Sequence, residues 1–207
     1  MGLSLNELNN LHMDVLRELG NIGAGNAATA LASMLNKRVD MDVPKVKILE
    51  FSQISDLIGA EKLVAGILLD VGGDIKATIM FLMDIEAARN LVNLLMGLPV
   101  AEGDSFSEIE ESALKEIGNI LTGSYLSALS SITNLTLIPS IPYLAIDMAG
   151  ALISVPAIEF GKVGDSVLYI ETQFVEGCSK VGGDFFLVPN VDSYDILLKS
   201  LGVIGNG

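Results

Sequence analysis

The sequence is poor in cysteine, histidine, aromatic residues and positive charge. It contains one cysteine, one histidine and no tryptophan, and its 12 lysine and arginine residues face 26 acidic ones, which leaves a net charge of -14. Nucleic-acid binders need a basic face that displaces counterions from phosphates, and anionic membrane surfaces attract basic segments. The composition therefore excludes a nucleic-acid partner and argues against an anionic membrane surface.

The scarcity of cysteine and histidine also limits the chemistry of the chain. Cys178 has no second cysteine with which to form an internal disulfide bond, and no basic and apolar signal segment is recognisable, so a reducing compartment is expected. His12 is the only histidine, and one histidine cannot make a zinc site. We therefore expect a cytoplasmic protein with no metal site and no cofactor of its own.

No segment has the character of a membrane-spanning helix. Residues 117–146 carry no formal charge, but they contain many serine, threonine and asparagine residues and two prolines. A spanning helix needs about 20 predominantly apolar residues, so no membrane insertion is expected. Half of the 207 residues are nonetheless hydrophobic, which is enough material for a large core built from aliphatic side chains.

An internal repeat organises the chain. Shifting the sequence by 98 residues aligns residues 14–48 with residues 112–146, and 12 of these 35 positions are identical without a gap. Repeats at a fixed offset indicate duplicated structural units. The turn-rich segment 97–107 is expected to link the two halves, which are assigned to residues 8–97 and 108–201.

The two halves follow one predicted plan of helix, strand, hairpin and helix. Hydrophobic periodicity and turn residues define the elements. The predicted helices span residues 8–36, 84–97, 108–133 and 191–201. The predicted strands span residues 43–49, 64–70, 75–83, 141–148, 151–158, 167–175 and 184–188. The pairs Gly72-Gly73 and Gly182-Gly183, each followed by aspartate, predict hairpin turns.

These elements predict an α+β fold in a single domain that covers residues 1–207. Duplicated units that cannot bury their apolar faces alone tend to share one core. We expect two halves related by a pseudo-twofold axis, with the long helices packed on a shared mixed, mostly antiparallel sheet.

A polar stripe on the first long helix carries the candidate chemistry. Asp14, Glu18 and Asn21 lie at positions i, i+4 and i+7, within roughly 60° of one another on one side of the helix. A single Glu-x-x-Asn pattern is usually only a solvated face. Here the pattern occurs twice in register and each copy is followed 23 residues later by a proline, which favours a functional role. The equivalent residues of the second helix are Ser112, Glu116 and Asn119.

The residues around each stripe predict how the helix packs. Val15, Leu19 and Ile22 form a neighbouring apolar stripe that is expected to face the core, as are Ala113, Ile117 and Ile120. Each glycine inside a helix costs about 1 kcal/mol relative to alanine, so close approach of the sister helix or of a docking partner is expected. The glycines are Gly20, Gly23, Gly25, Gly118 and Gly123.

The complete pattern, Asp/Ser-x3-Glu-x2-Asn-x22-Pro, resembles the signature of the CheC, CheX and FliY family of chemotaxis phosphatases. Asp14, Glu18, Asn21 and Pro44 fit it once, and two copies are typical of CheC-type members. Segments 17–27 and 146–148 are also similar to that type, so the resemblance covers most of the chain. The second copy consists of Ser112, Glu116, Asn119 and Pro142.

The resemblance implies a catalytic mechanism. The substrate would be a phosphorylated CheY-like response regulator, which supplies Mg²⁺ and a lysine of its own. Asn21 or Asn119 would orient the water that attacks the aspartyl phosphate, as a glutamine does in GTPases. Glu18 or Glu116 would pair with the lysine of the receiver.

The resemblance also implies a second partner and leaves alternatives open. The region of Asp147 in CheC relatives lies on the surface that binds CheD, a receptor deamidase. The chain could instead be a non-catalytic adaptor that binds and regulates CheD, although Glu and Asn in both stripes favour catalysis. A small-molecule sensor with a pocket between the halves is a further alternative.

Overall fold

The computed structural model describes residues 10–36, 38–97, 105–160, 166–176 and 179–202. The helices among them are α1 (Asn10–Leu35), α2 (Phe51–Ile58), α3 (Ile85–Met96), α4 (Glu108–Thr133), α5 (Ala149–Phe160) and α6 (Val191–Ser200). The strands are β1 (Asp40–Glu50), β2 (Leu63–Gly73), β3 (Ala77–Asp84), β4 (Leu137–Pro139), β5 (Tyr143–Met148), β6 (Ser166–Glu176) and β7 (Ser179–Pro189). The order of elements in the first half recurs in the second, with β4 and β5 where the first half has β1.

The seven strands form one sheet in the order β1-β6-β7-β3-β2-β4, and β5 also pairs with β2. All pairings among these strands are antiparallel. The central pair is β3 with β7, one strand from each half. The outer strands are exchanged, because β1 pairs with β6 of the second half and β5 pairs with β2 of the first. The predicted α+β fold with an antiparallel sheet is confirmed.

Helices cover both faces of the sheet, so the molecule has three layers. Ile79, Phe81 and Met83 of β3 join the core that α1, α3, α4 and α6 complete. Met80 and Leu82 alternate with them and join a second core with α2 and α5. This alternation follows from the two-residue period of a strand, and it explains why the central strands are apolar at nearly every position.

The long helices end in the same way. Asn36 and Asn134, which are equivalent at the 98-residue offset, follow α1 and α4 with φ values of 50° and 57°. Asparagine is one of the few residues other than glycine that adopts the left-handed conformation readily. At each of these asparagines the helix ends and the backbone changes direction toward the outer strand of that half.

One predicted strand is wrong. Segment 151–158 lies in helix α5, and its buried residues Ala149, Leu152, Ile153 and Pro156 follow helical spacing. They pack against the second core, apart from Pro156, which is buried beside the edge of the sheet. The density of Leu, Ile and Val suggested a strand, but the burial of every third or fourth residue favours a helix.

The sequence reading also missed helix α2. This helix is only eight residues long, although its apolar residues Phe51, Ile54 and Ile58 have helical spacing. Its start is fixed locally, because the backbone N–H of Glu50 donates to Oε1 of Gln53 at 2.9 Å. Ile54 is fully buried in the second core, so tertiary packing decides that this segment is helical.

Only one of the two predicted glycine turns exists. Gly73 ends β2 with φ of 103° and leads through a short turn into β3, so the first prediction is confirmed. Gly182 and Gly183 lie inside β7 instead. A Cβ atom at Gly183 would collide with the ring of Phe81, which explains the glycine in a strand. The connection of β6 to β7 falls on residues 177 and 178, outside the described residues.

Candidate functional site

The two polar stripes lie on the outer surface of α1 and α4. Glu18, Asn21, Glu116 and Asn119 are all exposed, as are the leading residues. The opposite side of each helix is buried against the sheet and the sister helix. Each half therefore presents one carboxylate and one carboxamide, a single turn apart, to a partner that approaches from solvent.

The buried side of each helix differs from the predicted one by about one position. Leu16 and Leu19 are buried, whereas Val15 and Ile22 are only half-buried. In α4, Leu114 and Ile117 are buried, and Ala113 and Ile120 are half-buried. Compared with the predicted orientation, each helix is rotated about its axis so that the side carrying glycine faces the core. The small residues on that side allow close packing against neighbouring elements.

The buried glycines explain that rotation. A Cβ atom at Gly23 would collide with the ring of Tyr125 on the sister helix, and one at Gly118 would collide with Ile67 of β2. A Cβ atom at Gly20 would lie 3.2 and 3.3 Å from side-chain carbons of Val43 and Val46 in β1, which is tight without a collision. Gly25 and Gly123 differ, because an added Cβ atom would meet no heavy atom within 4 Å. Close approach within the protein accounts for the first three glycines and for neither of the last two.

The leading residues of the two stripes make contacts within their own helices. The guanidinium of Arg17 donates to Oδ1 of Asp14 at 2.9 Å. The hydroxyl of Ser112 donates to the backbone carbonyl of Glu108 at 2.8 Å. Both groups are already hydrogen-bonded, so the glutamate and asparagine of each stripe are the side chains left for a partner.

The two motif prolines interrupt the outer strands of the sheet. Pro44 lies in β1 where the pairing with β6 shifts register between Asp42 and Lys45. Pro142 lies between β4 and β5 and is half-buried. Proline cannot donate to a sheet ladder and is found at edges and bulges, and each motif proline lies where the pairing of its edge strand is interrupted.

A hollow of about 410 Å³ adjoins the first stripe. Residues from α1 and from the edge of β1 line it, and Asn21 and Arg17 are among them. The hollow gives Asn21 free space on one side and places a guanidinium beside it. A group of a docked protein can therefore enter next to the carboxamide.

The remaining candidate, Asp147, lies on a different element from the stripes. It is an exposed residue of β5, opposite Val64 of β2, and its Oδ1 accepts from the backbone N–H of Met148 at 2.7 Å. Tyr143, which is 67% exposed, lies on the same face of β5 as Asp147, whereas Met148, which is 50% exposed, lies on the opposite face. Asp147 thus shares one face of this edge strand with an exposed apolar side chain.

The described residues were also compared with the requirements of a metal site and of a membrane-spanning helix. It contains no group of three or more His, Cys, Asp or Glu side chains arranged to hold a metal ion. Among the same residues, no helix combines the length and the apolar character that crossing a bilayer requires. The backbone of His12 lies in α1, and Cys178 lies outside the described residues.

The motif segments match a known family. The sequence model of the CheC-like family matches residues 11–48 and again residues 109–144. The CheY-P phosphatase CheC of Bacillus subtilis is 39% identical over 195 residues, which cover 92% of this chain and 93% of that protein. The chain belongs to the CheC-like family. Both family matches contain one Glu-x-x-Asn stripe and the proline that follows it.

Solved structures of low sequence identity share the fold of this CheC-like chain. FliY of Thermotoga maritima superimposes with a TM-score of 0.73 at 23% identity, covering 95% of this chain and 98% of that one. A chain of the CheX-CheY-BeF3-Mg²⁺ complex of Borrelia burgdorferi superimposes with a TM-score of 0.51 at 17% identity, covering 81% and 96%. The three-layer arrangement is therefore common to these proteins.

The sequence reading passed over the positive charges of the site. Arg17 and Lys115 are equivalent at the 98-residue offset and lie one turn before the asparagine of each stripe. The signal was available, since each is the one lysine or arginine of its 26-residue helix. It was missed because an exposed cation beside acidic residues usually belongs to a solvated ion pair.

Proposed function

We propose that this chain is a phosphatase that hydrolyses the aspartyl phosphate of a CheY-like response regulator. The observation that carries the proposal is the pair of exposed Glu-x-x-Asn stripes, one on each long helix. The Bacillus subtilis relative, whose similarity spans 92% of this chain, is a CheY-P phosphatase, and this supports a phosphorylated response regulator as the substrate.

The asparagine of each stripe orients the attacking water. The water oxygen forms a bond to phosphorus, the bond from phosphorus to the aspartyl oxygen breaks, and inorganic phosphate and the free carboxylate result. An acyl phosphate is reactive, so the catalyst needs a positioned water and no nucleophile of its own. A carboxamide suits this task, because its oxygen accepts from the water and its NH₂ group donates.

The glutamate of each stripe positions the receiver. Glu18 and Glu116 lie three residues before Asn21 and Asn119, and all four side chains are exposed. In the proposed complex each glutamate pairs with the lysine of the receiver, a charge-assisted contact that fixes the approach of the asparagine. Mg²⁺ comes with the phosphorylated substrate. A fold similar to this one occurs in a complex crystallised with CheY, BeF3 and Mg²⁺.

Replacing both asparagines tests the mechanism. Asn21→Ala combined with Asn119→Ala is expected to slow turnover by about 100-fold or more, because the water loses its positioning group. Decay of the ³²P-labelled receiver measures this effect. Each single variant is expected to retain the activity of the other site.

A matched control separates this effect from a general loss of surface amides. Asn26→Ala combined with Asn90→Ala removes two exposed helical asparagines outside the stripes, and it should hydrolyse at the parental rate. Parental activity in the Asn21 and Asn119 double variant would disprove the mechanism.

We propose a second function for the edge of the sheet, the binding of CheD at β5. The support is a group of exposed apolar side chains, Ile141, Tyr143 and Val155, which line one hollow, with Tyr143 on the same face of β5 as Asp147. Exposed apolar patches rimmed by polar residues are typical of protein interfaces. Asp147→Arg should weaken CheD binding at least tenfold in calorimetry and leave receiver hydrolysis unchanged. Asp192→Arg, at an exposed position of α6, is the control. Equal affinities for the two variants would rule out this surface.

A further inference from the structure

The two long helices carry one lysine or arginine each, and both occupy the same position in the repeat. Arg17 and Lys115 are 98 residues apart and lie four residues before Asn21 and Asn119. Cations are rare in this chain, with 12 in 207 residues. Their coincidence with both stripes, in a protein of net charge -14, requires an explanation from the site itself.

The geometry places each cation beside its asparagine. Residues at i and i+4 are neighbours on a helix surface, so Arg17 and Asn21 share one side of α1. Both also line the hollow of about 410 Å³ between α1 and β1. The side chain of Arg17 is 61% exposed and that of Lys115 is 40% exposed. Each cation is therefore accessible to whatever meets the asparagine.

The contacts within the helices do not account for these cations. Arg17 pairs with Asp14 at 2.9 Å, three residues away, and Lys115 pairs with Glu111 at 3.8 Å, four residues away. Exposed pairs of this kind add little to stability. The acidic partner differs in position between the halves, whereas the cation keeps its place relative to the asparagine. The fixed element is thus the cation, and the carboxylate neutralises it in the free protein.

We propose that Arg17 and Lys115 bind an anionic oxygen group of the docked phosphoprotein. The identity of that protein rests on the proposed function. On docking, each cation exchanges its own helical carboxylate for the anion of the partner, and this charge-assisted contact offsets the repulsion between two acidic proteins. The anion is either a phosphoryl oxygen of the substrate or a carboxylate on the rim of its phosphorylation site.

The test replaces both cations and measures binding and turnover separately. Arg17→Ala combined with Lys115→Ala is expected to raise KM at least fivefold at low ionic strength and to flatten the salt dependence of binding. The conservative pair Arg17→Lys and Lys115→Arg should restore most of the affinity. The control is Arg38→Ala combined with Lys62→Ala. These two exposed cations lie outside the stripes and form ion pairs with aspartates, at N–O distances of 3.1 and 2.7 Å.

Two forms of the receiver distinguish the sources of the anion. If the affinity falls only for the receiver loaded with beryllofluoride and Mg²⁺, the cations contact the phosphoryl group. If it falls equally for the unloaded receiver, they contact rim carboxylates. A change below twofold in the affinity for both forms, with the fold intact by circular dichroism, overturns the inference.

The same measurements separate this inference from the proposed function. A parental protein that binds the loaded receiver through these cations but does not accelerate its dephosphorylation disproves the phosphatase and leaves the anion contact in place. A parental protein that binds neither form overturns both.

Discussion

Gly25 and Gly123 occupy equivalent exposed positions, four residues after Asn21 and Asn119. No heavy atom lies within 4 Å of a Cβ atom built at either residue, so nothing within the described part of the chain requires glycine there. Because glycine disfavours a helix, these residues keep the surface beyond each asparagine flat at the expense of stability. Such a surface is suited to a protein that docks closely on the stripe.

Alanine at both positions should therefore stabilise the protein. Gly25→Ala combined with Gly123→Ala is expected to raise the free energy of unfolding by about 2 kcal/mol, since each helical glycine costs about 1 kcal/mol. Urea denaturation followed by circular dichroism measures this. As a contrast, Gly23→Ala should destabilise, because its Cβ atom would collide with Tyr125. A loss of stability in the double variant would contradict the open space at these sites.

At the scale of the element, β7 contains a carboxyl group in an unfavourable environment. Asp184 is half-buried between strands, and it accepts a hydrogen bond from the hydroxyl of Tyr169 at 2.8 Å. Burial raises the pKa of Asp184 above 3.8, and the nearby Glu171 raises it further, while the hydrogen bond from Tyr169 opposes the rise. Native Asp184 thus holds its proton more tightly than the unfolded chain does.

The sign of this shift predicts how stability depends on pH. A raised pKa in the folded state contributes stability that is fully present below the unfolded pKa and is lost as pH rises through the folded pKa. Asp184→Asn, which can still accept from Tyr169, should therefore gain stability relative to the parent as pH rises above the unfolded pKa of an aspartate, about 3.9. Thermal unfolding at a series of pH values measures the difference. A stability profile for Asp184→Asn that runs parallel to that of the parent across these pH values would refute the assignment.

Elements also differ in how well the sequence predicts them. Helix α4 was predicted with its observed bounds because it has a long hydrophobic period and an N-cap, where Ser107 and Glu110 bond each other's backbone N–H groups. Helix α5 was taken for a strand because its run of Leu, Ile and Val is also typical of a buried strand, and α2 was missed; both pack on a core formed by distant strands. Local signals thus suffice where a cap or a long period is present, and tertiary packing decides an apolar run that fits either element.

At the scale of the molecule, the exchange of outer strands ties the two halves together. The pairing partner of β1 is β6, and that of β4 and β5 is β2, so each half holds the outer strand of the other. The central contact of β3 with β7 adds a third connection across the middle of the sheet. Either half alone would expose long unpaired strand edges.

Fragments should therefore fail to fold separately. Residues 1–97 and residues 105–207, expressed as two chains, are each expected to lack a cooperative unfolding transition, whereas their mixture should recover one. Denaturation monitored by circular dichroism tests this, with the whole chain as the control for a single transition. A fragment that unfolds cooperatively by itself would show that the exchanged strands are dispensable.

The sequence by itself determined the repeat, the long helices, the composition of the stripes and the family resemblance, because these depend on residue types at fixed spacing along the chain. It also predicted that the stripes face solvent, since Glu and Asn are costly to bury. Only the tertiary structure decided the rotation of the helices, the exchange of outer strands, the hollow beside Asn21 and the short helices. These features depend on contacts between residues that are far apart in the chain, and one-dimensional spacing does not specify such contacts.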